Sequence, residues 1–182
     1  MPERTNQYLG RLLAAWTHMS QDGQPPAYDE LRPEALRFIL PDVCLIDVRD
    51  DGSFGFRLVG TGIVDRLRND PTGEPLNVLG PQTAAATAEL FAATVSKATP
   101  MAATGRLEIG GRDRLLDALC LPLADEDGSI SVLLVGIEFR SWSQVEVEPP
   151  LGDMQIWEVE ADASATVGSA IPAPMRRSQA YC

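Results

Sequence analysis

Between residues 103 and 139 the sequence alternates apolar runs with two tight turns, and no other feature restricts the fold as much. Ala103–Ile109 sets Leu107 and Ile109 against Arg106 and Glu108, the period of a half-buried strand. Gly110-Gly111 turns the chain, Leu115–Leu123 forms a longer apolar run, Asp125-Glu126-Asp127-Gly128 turns it again, and Ile130–Phe139 follows. Connections this short force antiparallel neighbours. A second hairpin is expected upstream, where Asp51-Gly52 joins Val43–Val48 to Ser53–Val59, with Phe54, Phe56 and Leu58 on one face and Arg57 on the other. Between the two groups lie short helical turns at Ile63–Leu67 and Leu76–Leu79 and a longer Ala-rich helix, Pro81–Ala98. That helix presents Ala84, Thr87, Ala88, Phe91 and Val95 along one side. The fold class is therefore α+β: a five-stranded antiparallel sheet with its helices segregated to one face.

The N-terminal segment, Thr5–Ser20, has Leu9, Leu12, Leu13, Trp16 and Met19 at helical spacing and ends at Asp22-Gly23 and Pro25-Pro26. This stripe has to pack on something. It either covers the chain's own sheet or meets a partner helix, with Leu9, Leu12, Leu13 and Trp16 as the contact residues. A short helix over Pro33–Leu40, stopped by Pro41, leads into the first strand. Beyond Ser141 the periodicity dissolves into a tail with Pro149-Pro150, six acids and many small residues, expected to be largely irregular. Trp142 and the apolar island Met154-Gln155-Ile156-Trp157 stand out, the island as a docking segment or an extra edge strand. The organisation is thus an amphipathic helix over 1–24, a sheet domain over 25–140 and an acidic tail over 141–182.

Fifteen Lys and Arg against 26 Asp and Glu leave a net charge of −11, which argues against nucleic acid and anionic membranes as partners. Three scattered cysteines are no disulfide framework; Cys44 and Cys120 fall in apolar runs, as in a reducing compartment. Without an 18-residue apolar stretch or a leader-like N-terminus, membrane insertion is not expected and the expected location is the cytoplasm. No nucleophile elbow, phosphate loop or metal-spaced cluster is visible. His18, the single histidine, sits at the end of the first helix, and Tyr8, Tyr28 and Tyr181 fall outside the expected pocket, so no catalytic residue and no metal site is assigned. Phe56, Leu58, Ile63, Leu67, Phe91, Leu119, Leu121 and Leu134 are the expected inner-face residues, lining either a filled core or a cavity for a small apolar molecule.

The element order, together with several local words, resembles a PAS domain, and in detail the single-PAS family common in alphaproteobacteria, often called PAS-5. The words are Trp16, Leu40-Pro41, Phe56-Arg57-Leu58-Val59-Gly60-Thr61, Asp70 with Thr72 and Gly73, Leu121-Pro122-Leu123, and Leu133 to Gly136. Arg68 stands where the family has glycine, and Pro71 where it has an apolar residue. Gly60 is expected to allow a sharp turn, Thr61 to cap the following helix, and Pro122 to mark an edge or a bulge, with a bulge preferred. The resemblance implies a non-enzymatic bacterial sensory protein acting by protein contact, as a homodimer and with a regulatory partner such as a sensor kinase. The alternative it implies is a sensor holding an apolar ligand. Haem would need an axial ligand, and Pro81–Ala98 has no His, Cys, Met or Tyr; covalent flavin photochemistry would need a cysteine between Thr61 and Ala98, where there is none. No cofactor is assigned, and an apolar small molecule stays open.

Overall fold

The structure, a computed structural model, describes residues 5–141 and 150–160; Trp142, Tyr181 and the stretch 161–182 of the expected irregular tail lie outside the described residues. The strands are β1 Val43–Val48, β2 Phe54–Val59, β3 Met101–Ile109, β4 Arg112–Ala124, β5 Ile130–Arg140 and β6 Asp153–Glu158. They form one antiparallel sheet in the order β2-β1-β5-β4-β3-β6. The five expected strands are present. The sixth is the apolar island, paired with β3 from Met101↔Glu158 to Arg106↔Asp153, so this part of the tail is an edge strand.

The helices are α1 Thr5–Met19, α2 Thr61–Leu67 and α3 Pro81–Lys97. The expected helix over Pro33–Leu40 is instead two 3-10 turns, Pro33–Leu36 and Leu40–Asp42, with Pro41 inside the second. The helices lie on both faces of the sheet, not on one. Leu9, Leu12, Leu13 and Trp16 of α1 pack on Val43, Leu119, Leu121, Leu123, Val132 and Leu134. On the opposite face α2 and α3 pack on Cys44, Ile46, Phe56, Leu116, Ala118, Cys120, Leu133 and Val135. The α1 leucines and Trp16 are at most 5% exposed, so the stripe offered to a partner helix is used up within the chain. Burying a leucine or a similar side chain contributes about 1.5–3 kcal/mol, and an α1 swung outward would lose four of these.

Four contacts explain why the distinctive residues stand where they do. The Trp16 indole N–H donates to the Pro122 carbonyl at 2.8 Å. Pro122 pairs in regular register with Leu133, and the irregularity in this ladder falls later, opposite Leu123–Ala124, where Ser131 of β5 is the extra residue. β3 reaches only as far as Cys120, so beyond it β4 has a local free edge. There Ala124 donates to the Pro26 carbonyl, and Trp16 serves Pro122. Pro122 therefore marks an edge rather than a bulge, its missing N–H costing no ladder bond.

Gly60 lies against the backbone of the Leu40–Asp42 turn: a Cβ here would be 2.5 Å from the carbonyl oxygens of Leu40 and Pro41. Thr61 is the first helical residue, not the cap; Gly60 holds that position, without a side-chain cap bond. Asp70 accepts from the Thr72 amide and hydroxyl, and the next amide, Gly73, donates to Phe56, closing the middle of the β2 edge. Finally, Gly136 admits α1, because a Cβ there would meet the side-chain ends of Leu12 and Leu9 at 2.5 and 2.9 Å.

Candidate functional site: a cavity beneath α2 and α3

Between the sheet and the α2–α3 layer is a cavity of about 60 Å³. Its floor comes from Cys44, Ile46 and Phe56 at one end and Leu116, Ala118, Val135, Ile137 and Phe139 in the middle; its roof comes from Ile63, Leu67, Leu79, Leu90 and Phe91. Phe91 is fixed by an edge-to-face contact with Phe54, centroids 5.4 Å apart. The two polar residues in the wall, Thr83 and Thr87, donate their hydroxyls to the carbonyls of Glu108 and Thr83. The wall therefore offers a guest carbon surface and no free donor from these threonines.

Of the eight residues expected to line the site, Phe56, Ile63, Leu67 and Phe91 do so. Leu58 does not: it is 46% exposed. A bulge explains it. Leu45 pairs with Leu58 and Ile46 with Phe56, leaving Arg57 as an extra residue, so the alternation inverts after Phe56 and Val59 points inward. Arg57 then lies on the outer side, paired with Asp47 at 2.5 Å and stacked 4.8 Å from the Tyr28 ring. Leu119, Leu121 and Leu134 face α1 instead. Their neighbours are the missed residues, Leu116, Ala118 and Val135. β4 and β5 are apolar on both faces, which erases the period-two signal that would have distinguished them. On α3 the buried stripe is Thr83, Ala86, Leu90, Phe91 and Thr94, one position off the expected one. Its threonines bury because each hydroxyl donates to a backbone carbonyl.

Cys44 lines the cavity and Cys120 lies in the same row, both opposite Val135 from its two sides. Two strand spacings separate them by roughly 9–10 Å, beyond the roughly 7 Å that a disulfide spans. Burial pushes each thiol up to about 12, so neither supplies a thiolate near neutrality.

On the outer face, Asp117 and Glu138 are directly paired across β4 and β5. Burial first, then the charges of Asp117 and Asp42, hold the Glu138 carboxyl up to about 7 against the pull of Arg140. Asp117 is also held up by burial, against Thr104 and Arg140. Arg66 ties α2 to Asp42 at 3.2 Å and stacks 4.4 Å from Phe139. His18 is exposed, and among the described residues no three His, Cys, Asp or Glu gather as a metal site. Nor is any described helix long and apolar enough to cross a membrane.

A family model described as PAS domain matches residues 4–137. The chain belongs to the PAS domain family. PAS domains are sensory and signal-transduction modules and are generally not catalytic. Two solved structures are similar to this PAS domain. One, from work on the light-oxygen-voltage domain mechanism with a flavin analogue, shares 14% identity over 61% of this chain and 85% of its own, with a TM-score of 0.49. The other, the PAS domain of Bordetella pertussis BvgS, shares 12% identity over 62% of this chain and 89% of its own, with a TM-score of 0.38. No curated protein matches the sequence.

Proposed function

We propose that this PAS domain is a non-enzymatic cytoplasmic sensor that admits a small apolar group beneath α2 and reports its presence through contact with another protein. The observation that carries this reading is the cavity: about 60 Å³, walled by carbon, with its two threonine hydroxyls engaged by the backbone. Ligand sites for drug-sized molecules run to roughly 300–1,000 Å³. The small cavity favours a guest of a few atoms over a resident haem or flavin. Part of the roof is short, the seven-residue α2 and the turn Leu76–Leu79, and the rest is the long helix α3. A guest acts only by binding one arrangement of that roof better than another.

Contact with a regulatory partner such as a sensor kinase, or with a second copy, is the output half of the reading. Leu58, exposed beside Leu45 on the outer face of the β1–β2 hairpin, supports it. The test is hydrogen exchange of the α2 amides with and without dissolved cyclopropane, in the wild type and in Ala118→Leu, which fills the floor. Protection that rises in the wild type alone supports the sensor. Unchanged protection in both overturns the ligand half and leaves an adaptor that works by contact alone.

A further inference from the structure

The cavity wall is not equally thick all round. Leu67, Leu79, Thr87, Ile137, Phe139 and Met154 are the lining residues that are partly exposed, so they mark the shortest ways through to water. Four of these are held in place. Phe139 lies under the Arg66 guanidinium, 4.4 Å from it. The Thr87 hydroxyl donates to the Thr83 carbonyl at 2.7 Å. Ile137 and Met154 stand on strand backbone paired with Ala118 and Gly105. Leu67 and Leu79 differ. Leu67 is the last residue of α2 and Leu79 the last of the Leu76–Leu79 turn. Each is followed at once by a left-handed residue, Arg68 with φ at 62° and Gly80 with φ at 83°. A helical side chain is covered by the turn that follows it, and neither leucine has one.

Beyond the two leucines is an open depression of about 280 Å³, which they line together with Asn69, Val78, Gly110 and Gly111. The frame around the pair is fixed. The Arg68 amide donates to the Val64 carbonyl at 2.8 Å, a Cβ on Gly110 would collide with the Arg66 carbonyl, and Leu76 is buried. What is left to turn is the two side chains, and turning them gives up apolar contact without breaking a hydrogen bond. We infer that Leu67 and Leu79 are the door of the cavity: a small apolar guest enters and leaves between their side chains, by way of the depression. The inference rests on the proposed sensing role and adds the route by which the guest arrives. The door also selects, because a carbon-lined passage costs an apolar solute little and a charged one its hydration.

The test is methyl relaxation dispersion at Ile63 and Ile137 of the full chain with sub-saturating cyclopropane, which yields entry rate, exit rate and affinity together. Val78→Trp places a ring in the depression from an exposed position. It should slow entry and exit alike by about tenfold and leave the affinity unchanged, a signature that a folding defect does not produce. Leu79→Ala removes one leaf of the door and should speed both rates. Met154→Ala thins the wall at the β6 end instead, and its entry rate should stay within about twofold of the wild type. Wild-type rates in both Val78→Trp and Leu79→Ala, or a larger acceleration from Met154→Ala than from Leu79→Ala, overturn the door and leave the cavity in place. If no cyclopropane enters the wild type, the sensor reading falls and the door falls with it.

Discussion

Arg68 closes α2 in the left-handed region, with φ at 62° and its amide donating to Val64. The backbone at this position suits glycine: a side chain there is strained, whereas glycine is not. Arg68→Gly is expected to stabilise the domain by about 0.5–1 kcal/mol, the left-handed strain relieved less the freedom glycine adds to the unfolded chain, seen as a higher urea midpoint; a lower midpoint would show that the Arg68 side chain has an unrecognised role. Glu138 gives a prediction of opposite character. Its carboxyl stays protonated up to about 7, while the unfolded chain releases the proton near 4.5. The folded state therefore binds more protons between those values. Its contribution is fully present below about 4.5 and is lost as the pH rises through about 7. Urea midpoints should fall from acid to neutral pH more steeply in the wild type than in Glu138→Gln. The difference should stay within about 1 kcal/mol because the group is half exposed. Parallel slopes would remove Glu138 as the cause. Both described thiols should be inert to a thiol reagent until the protein unfolds, and a fast-reacting Cys44 would mean that the cavity opens to water.

Elements are placed by a few close approaches. Trp16→Phe keeps an aromatic ring but a smaller one, and it leaves the Pro122 carbonyl without its partner, the latter a loss of about 1–3 kcal/mol. Gly136→Phe inserts a ring where Leu9 and Leu12 rest, so α1 should lift off, with Trp16 fluorescence moving to the red; an unchanged spectrum would show that α1 is seated by other contacts. The strands and α1 were legible because their patterns are local: alternation in β3, helical spacing in α1, turn residues between strands. Two kinds of information were not. A single bulge at Arg57 inverts the rest of β2 and sends Leu58 outward, which alternation alone does not reveal. The double burial of β4 and β5 hides which of two adjacent apolar residues faces the cavity, so alternation does not reveal that Leu119, Leu121 and Leu134 face α1. The edge strand β6 was visible only as an apolar island, because a six-residue strand takes its meaning from its partner β3.

At the scale of the whole molecule, the chain is a sheet insulated on both faces, with α1 on one side and the cavity layer on the other. Removing residues 1–20 strips the sheet's second face and should give an aggregating or unfolded product, not a soluble module that has merely lost a partner. If contact between copies uses the outer β1–β2 surface, Leu58→Asp should yield monomers in sedimentation while the wild type forms dimers; identical behaviour would move the contact elsewhere. The central claim is that the α2–α3 face, and not the α1 face, holds the receptive space. The most direct measurement is methyl NMR of the wild type under xenon, beside Ala118→Leu. The account predicts wild-type shifts at Ile63, Leu90 and Ile137, quiet Leu119, Leu121 and Leu134, and a flat response in the variant. Shifts confined to the α1-face leucines, or no shift in either protein, would contradict it.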